Sequence, residues 1–169
     1  MKQFKTLLIA VALILGATSF ANAQTKVAHI ATQELIEQMP SYKAAMNQLE
    51  KLQKTYDTEI KDLVTEAQNT MKRYESEAQT KTDEENQKRA LELQQTQRSI
   101  GEYRQNAVQE LQKKEMELLK PVLEKARTTI QKVARAKGFD YVLDSTTGTG
   151  VIMADGYDLM PDVKKELGI

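Results

Sequence analysis

The 169-residue chain has no cysteine, no tryptophan, a single histidine, three prolines and seven glycines. Without cysteine no disulfide holds the fold together, and the thiolate ligands of a structural zinc site are missing. His29 has no second imidazole with which to share a metal, and no serine stands in a nucleophile-elbow context. A lone histidine in a strand reads as structural. Aromatic residues make up only 5% of the chain, and Leu, Ala, Lys, Glu and Gln dominate, which is the composition of long helices rather than of a rounded globule. Charge of one sign is also missing. The formal net charge is +0, and removing Lys2 and Lys5 with a leader leaves a slightly acidic chain. A general basic surface for nucleic acid or anionic lipid is therefore not expected.

The one glycine-rich loop, Gly148-Thr149-Gly150, lacks the glycine spacing, the lysine and the following helix of a phosphate loop. The many carboxylates alternate with lysines, as on solvated helix faces. Met39, Met46, Met71 and Met116 offer soft contact surface, although Met71 fits the helical stripe and reads as packing. No catalytic residue, no cofactor site and no metal site is expected.

What the chain does have is a long helical pattern from 41 to 137, with Pro121 and Gly101 as its only interior proline and glycine. Leu49, Leu52 and Tyr56 are followed by Ile60, Leu63 and Ala67, then by Met71, Tyr74 and Ala78. Each triplet recurs after eleven residues, about 3.67 per turn, which predicts a nearly straight or slightly right-handed stripe. Downstream, Ile100, Leu111, Val122 and Val133 form one row, with Val108, Leu119 and Ile130 beside it. So narrow a stripe needs a long partner, and the chain turning back supplies one. The polar stretch Gln79–Glu85 places the tip near 80–83, and Thr82 with Glu85 fits a capping box. An arm of some forty residues is roughly 60 Å long. From Glu84 to Ser99 the returning helix offers only Ala90, Leu91 and Leu93 as apolar residues, which predicts a loosely packed tip.

The ends read differently. Lys2 and Lys5, the apolar run Leu7–Leu15 and Ala21-Asn22-Ala23 have the form of a cleaved signal peptide over 1–23, and the apolar run is too short to span a bilayer. An exported, periplasmic protein beginning at Gln24 is expected. Lys26–Ile30 reads as a strand. Thr32 is expected to cap a short helix ended by Pro40, and Ser41 to start the long one. Gly138 stops the second long helix. Phe139–Asp144 and Val151–Ala154 read as two strands joined by a turn, and Asp158 as the cap of a last helix, Leu159–Leu167. The fold class is thus mostly α with a small β body: segments 24–40 and 138–169 form the body, and the hairpin 41–137 is inserted between them. Basic residues Lys125, Arg127, Lys132, Arg135 and Lys137 are expected to meet the acidic last segment within one folded body.

The order of these elements, with Gly138-Phe139-Asp140-Tyr141-Val142-Leu143-Asp144 and Tyr157-Asp158-Leu159-Met160-Pro161-Asp162-Val163, resembles the Skp/OmpH family of periplasmic chaperones. The resemblance implies a jellyfish-shaped homotrimer whose arms enclose unfolded outer-membrane proteins. Well-known members are markedly basic and this chain is not, so no lipopolysaccharide or membrane site is carried over. The small apolar set near the ends leaves one chain with a thin core and open sheet edges. Val27, Ile30, Tyr141, Val142, Leu143, Val151 and Ile152 are the expected oligomerisation residues. Pro40 and Pro121, at one level of the hairpin, are the expected hinge, with a kink at Pro121. The function expected is an ATP-independent holdase, and the alternative is a structural coiled-coil protein of the envelope.

Overall fold

The computed structural model describes residues 25–169, so the expected signal peptide over 1–23 lies outside the described residues. Strand β1 (Val27–Ile30) leads through Ala31 into helix α1 (Thr32–Gln38). Helix α2 (Pro40–Glu77) runs outward to a single 3-10 turn (Ala78–Thr80), and helix α3 (Asp83–Ala136) returns. Strands β2 (Tyr141–Asp144) and β3 (Tyr157–Asp158) and helix α4 (Met160–Leu167) complete the chain.

Pro40 opens α2 rather than ending α1. Met39, forced extended before a proline (φ −67°, ψ 128°), makes the break, and the proline takes the first helical position, where its missing N–H costs nothing. Along α2 most of the expected stripe faces α3: Leu49, Leu52, Tyr56, Ile60, Ala67, Tyr74 and Ala78 are half-buried, and Ala45 near the body is buried, but Leu63 and Met71, expected to pack, are exposed. Of the returning rows, Ile100, Val122 and Val133 are buried and Leu111 is half-buried. Val108 is exposed, however, because the smaller Ala107 takes the inward position at that level.

The tip forms where expected. The Glu85 N–H donates to Thr82 Oγ1 at 3.2 Å, and the Thr82 N–H donates back to the Glu85 carboxylate at 3.2 Å. Asp83, Glu84 and Glu85 crowd the positive end of the α3 dipole. Apolar packing is as thin there as expected, with no residue from 79 to 99 buried, but polar contacts hold the two helices together. Arg89 pairs with Glu77 at 2.7 Å and lies 4.5 Å over the Tyr74 ring, whose hydroxyl donates to Glu92 at 2.9 Å. Asn86 Nδ2 donates to the Ala78 carbonyl at 2.9 Å. A polar clasp replaces the apolar packing that the composition lacks. Halfway down, Tyr103 donates to Glu59 and meets Tyr56 edge-on, with ring centroids 6.2 Å apart.

Helix α3 ends at Gly138, which takes the left-handed conformation (φ 75°) and lets the Phe139 N–H reach the Ala134 carbonyl at 3.0 Å. Pro121 lies inside α3, which is helical without a break from Asp83 to Ala136.

The sheet has the order β2-β1-β3, and both outer strands run parallel to β1. Here the expectation fails in one respect. Val151–Ala154 forms no strand and no hairpin with β2; the third strand is Tyr157–Asp158, on the far side of β1. One sheet face packs on the helices. Ala28, Ile30, Leu35, Met39, Val122, Ala126, Ile130, Val133, Ala134, Leu159, Met160 and Val163 form one buried cluster. Lys132–Glu166 (2.5 Å) and Lys137–Asp162 (2.9 Å) tie α4 to the end of α3, so the basic and acidic segments do meet in one body.

Candidate functional site: the bare sheet face and the arm flank

Side chains alternate across a strand, and in the parallel register Val27 lies beside Tyr141 and His29 beside Leu143. These four share the face turned away from the helices. Nothing among the described residues covers it fully: Tyr141 is 62% exposed, Leu143 46% and Val27 42%. The loop after β2 adds Ile152, fully exposed, and Met153. Of the seven expected oligomerisation residues, then, Val27, Tyr141, Leu143 and Ile152 are open apolar surface. Val142 and Val151 are half-buried. Ile30 points the other way and is fully buried in the core of its own chain, so its place is in that core.

Two polar devices hold the loop and the strand ends. Asp144 accepts from the Thr32 N–H (3.2 Å) and hydroxyl (2.5 Å), and from the Thr146 N–H (2.9 Å) and hydroxyl (2.6 Å). Burial pushes its carboxyl upward, but the bonds from Thr146 and Thr32 outweigh this and hold it at about 2. Thr32 is therefore no cap; Asp144 and Thr146 cap α1 from across the sheet, Thr146 Oγ1 taking the Gln33 N–H at 3.2 Å. His29 is structural in the way a lone strand histidine should be. Its ring joins Ser145 Oγ (3.3 Å) and the Gly156 carbonyl (3.2 Å), pinning both ends of the loop that carries Ile152 and Met153.

Beside β2 lies a groove of about 480 Å³, with Ile36, Leu123, Ala126, Ile130, Phe139 and Val142 on its floor and walls. Arg127, Gln131, Arg135 and Asp140 also line it. Leu123 continues it onto the arm. Val108, Met116, Leu119 and Leu123 recur at steps of eight, three and four and so line one flank of α3. Val108, Met116 and Leu123 are exposed. The Tyr103–Glu59 bond sets a register that brings Met46, also exposed, to the level of Met116. The sequence offered Met46 and Met116 as soft contact surface but assigned Val108 and Leu119 to the packed rows, so the flank was not visible there as one continuous surface. The expected hinge prolines are both exposed: Pro40 is the first residue of α2, and Pro121 precedes the buried Val122.

Among the described residues no cluster of three or more His, Cys, Asp or Glu is placed to hold a metal, and no helix is long and apolar enough to cross a membrane. The arrangement suits contact with other chains.

The comparisons agree with this geometry. The family model described as outer membrane protein (OmpH-like) matches residues 26–167. A chaperone protein Skp from Photorhabdus luminescens is 26% identical over 131 residues, covering 78% of this chain and 79% of its own length. A second, from Photorhabdus laumondii, is 26% identical over 125 residues, covering 74% and 76%. The crystal structure of an OmpH-like outer membrane chaperone from Caulobacter crescentus superposes with a TM-score of 0.76, at 20% identity, over 87% of this chain and 86% of that one. At that identity the likeness concerns the fold.

Proposed function

The chain belongs to the OmpH-like family, and on that premise we propose that it is an ATP-independent holdase that binds unfolded outer-membrane proteins in the periplasm and keeps them from aggregating. The observation that carries this reading is the arm flank. Met46, Val108, Met116 and Leu123 are exposed, flexible or branched apolar side chains spread along a rod. Such a surface makes many weak contacts with unlike sequences, and binding the unfolded state is enough to suppress its association. No catalytic step is part of the proposal.

Export with a cleaved leader over 1–23 belongs to the same reading, because the leader pattern suits the compartment that the family occupies. So does a homotrimer, with the body 24–40 and 138–169 as its centre. The exposed Val27, Tyr141, Leu143 and Ile152 support such a centre; Val142 and Val151 would act from its margin. Pro40 and Pro121 are proposed to let the arm 41–137 tilt on the body. Ile152→Asp tests the assembly cleanly. The side chain is fully exposed in the single chain, so the change spares the fold yet buries a charge in the assembly. Sedimentation velocity of this variant is expected to show a folded monomer, and an unchanged oligomer overturns the assembly.

The chaperone reading is tested by dilution of a urea-unfolded outer-membrane barrel into buffer with and without the protein. Suppressed light scattering at stoichiometric excess is expected. Unchanged scattering removes the holdase and favours a structural coiled-coil spacer of the envelope, a reading that the Arg89–Tyr74–Glu77 clasp also supports, since it stiffens the tip.

A further inference from the structure

We propose that one row of α3, from Gln87 to Leu123, holds an extended stretch of client by its peptide groups, with Gln87, Gln94, Gln105 and Gln112 bonding the main chain and Gly101 letting it come close. The inference rests on the holdase reading above and names the part of the client that the arm recognises.

The first observation is a face almost without charge. From Gln87 to Leu123, steps of three and four residues run through Gln, Leu, Gln, Arg, Gly, Gln, Val, Gln, Met, Leu and Leu. Such steps keep to one face of a helix, and this face carries the apolar arm flank onward to the tip. Arg98 is its one charge, in a chain that is 28% charged. The opposite face of α3 carries Lys88, Glu92, Glu110, Lys114 and Glu117, with Lys114 and Glu117 paired at 2.7 Å. That face has the usual alternation of a solvated helix, and the row does not. Its four glutamines are exposed. Among the described residues, the glutamine side chains that make a hydrogen bond are those of Gln33 and Gln38, so the four amides of the row have no partner there.

The second observation is what these groups match. A glutamine amide offers N–H donors and a carbonyl acceptor, the same pair as a peptide group. An unfolded chain presents that pair at every residue except proline. A carboxylate would only accept and an ammonium only donate, and each would select clients by charge. Amides make no such selection, which suits clients of unlike sequence. Leu91 and Val108, both exposed, stand between successive glutamines and meet the client's apolar side chains. At about 1.5 Å per residue the row is roughly 54 Å long, room for about 16 extended residues, more than one barrel strand of about ten.

The third observation is Gly101, in the middle of the row. A glycine inside a helix costs stability relative to alanine. Its φ is not positive, and a Cβ there would meet nothing within 4 Å, so neither backbone nor packing among the described residues calls for it. Bare backbone on an exposed helix face lets a second main chain approach closely. Between α2 and α3 lies a groove of about 340 Å³ lined by Val64, Ala67, Leu93 and Ile100, with Gln97 also on its wall. Gln97 is one turn before Gly101, so a chain seated over the glycine can lower a side chain into that groove.

The test uses the full mature chain and two fluorophore-labelled, urea-unfolded outer-membrane barrels of unlike sequence and net charge, diluted to trace concentration. Gln87→Met, Gln94→Met, Gln105→Met and Gln112→Met are combined in one variant. Methionine keeps the size and helix propensity of glutamine, removes the amide and adds apolar surface. Anisotropy titration is expected to show both barrels bound about tenfold more weakly than by wild type, by a like factor. Unchanged or tighter binding means that apolar contact alone holds the client and overturns the proposal. A loss confined to one barrel means side-chain recognition and overturns it also. Gly101→Leu, in open space, tests the same row without touching the amides. It is expected to raise the thermal midpoint yet weaken both barrels, and unaltered affinity removes Gly101 from the site. Should the methionine variant lose its helical circular dichroism, Gly101→Leu carries the test. A wild-type protein that binds neither barrel overturns the holdase reading itself.

Discussion

Replacing Asp144 by Asn should destabilise the fold and flatten its response to acid. The carboxylate accepts four hydrogen bonds, two of them from backbone N–H groups, and so joins the end of β2 to the start of α1. Its pKa falls from 3.8 to about 2 on folding. One unit is about 1.36 kcal/mol, so the full shift would be worth about 2.4 kcal/mol in a site closed to water. Asp144 is only half-buried, and solvent reduces this to about 1–2 kcal/mol. Asn keeps one acceptor oxygen for the backbone N–H groups, but its amide –NH2 faces the Thr32 hydroxyl that the second carboxylate oxygen accepted, so part of the capping, itself worth typically about 1 kcal/mol, is lost. The sign follows from the depressed folded value. The contribution is complete above the unfolded value near 3.8 and is lost as pH falls through the folded value near 2. Urea unfolding followed by circular dichroism at pH 7 should show the Asn variant weaker by about 1–2 kcal/mol. The gap between variant and wild type should close as pH falls from about 5 to 2. Glu85, Glu117 and Asp162 are also held below their usual range, by a backbone bond from Thr82, by Lys114 and by Lys137, so both proteins retain some acid sensitivity. The informative quantity is the difference between them. A gap below about 0.3 kcal/mol at pH 7, or one that does not narrow in acid, refutes the role given to Asp144.

Three further outcomes follow from other parts of the chain. Ile30→Ala, which empties a fully buried site, should cost about 2–5 kcal/mol in the same urea assay, and a cost below 1 kcal/mol would mean that the cluster around it relaxes. Tyr103 donates to Glu59, which pushes its hydroxyl up to about 12, so ultraviolet titration should show one tyrosine ionising last, and Tyr103→Phe should remove that step. Pro121→Ala restores one helical donor and should narrow the distance distribution between spin labels at the arm tips; a narrow distribution in wild type, or a broad one unchanged in the variant, moves the hinge elsewhere.

The arm was legible in the sequence because its information is local and repeated. Every eleven residues the stripe restates the facing side, and Thr82 with Glu85 marks the turn with residues three apart. The error at Val108 arose because a buried alanine carries little hydrophobic signal, and Ala107 won the inward position. The body was less legible because its contacts are distant. Asp144 caps a helix that begins 112 residues earlier, so Thr32 was the nearer and wrong choice. Tyr157–Asp158 is too short to show a period, whereas Val151–Ala154 has a strand's composition and no strand partner in its own chain. Composition favours a strand there, but a strand also needs an edge to pair with, and the sheet β2-β1-β3 takes its third strand from Tyr157–Asp158 instead. The bare sheet face was partly visible: its residues were named, but the one-residue alternation that puts Ile30 inside and Val27 outside required the register.

The parallel pairing of β1 with β2 bears on the order in which the molecule folds. Lys26 and Asp140 exchange bonds across 114 residues, so closing the sheet from an open coil carries a large chain-entropy cost and a slow search. The arm removes most of that search. Its contacts begin at the tip, where partners such as Asn86 and Ala78 are eight residues apart, and each turn zipped toward the base shortens the remaining gap. By the time Tyr42 and Val122 join the core region, the two ends have been carried to the same place. The hairpin is thus a closing device for its own body, and the sheet is its last product. A chain made from its N-terminus onward holds β1 unpaired until the final thirty or so residues are free. Until then the bare sheet face does not exist, and association through it has to wait for the end of the chain.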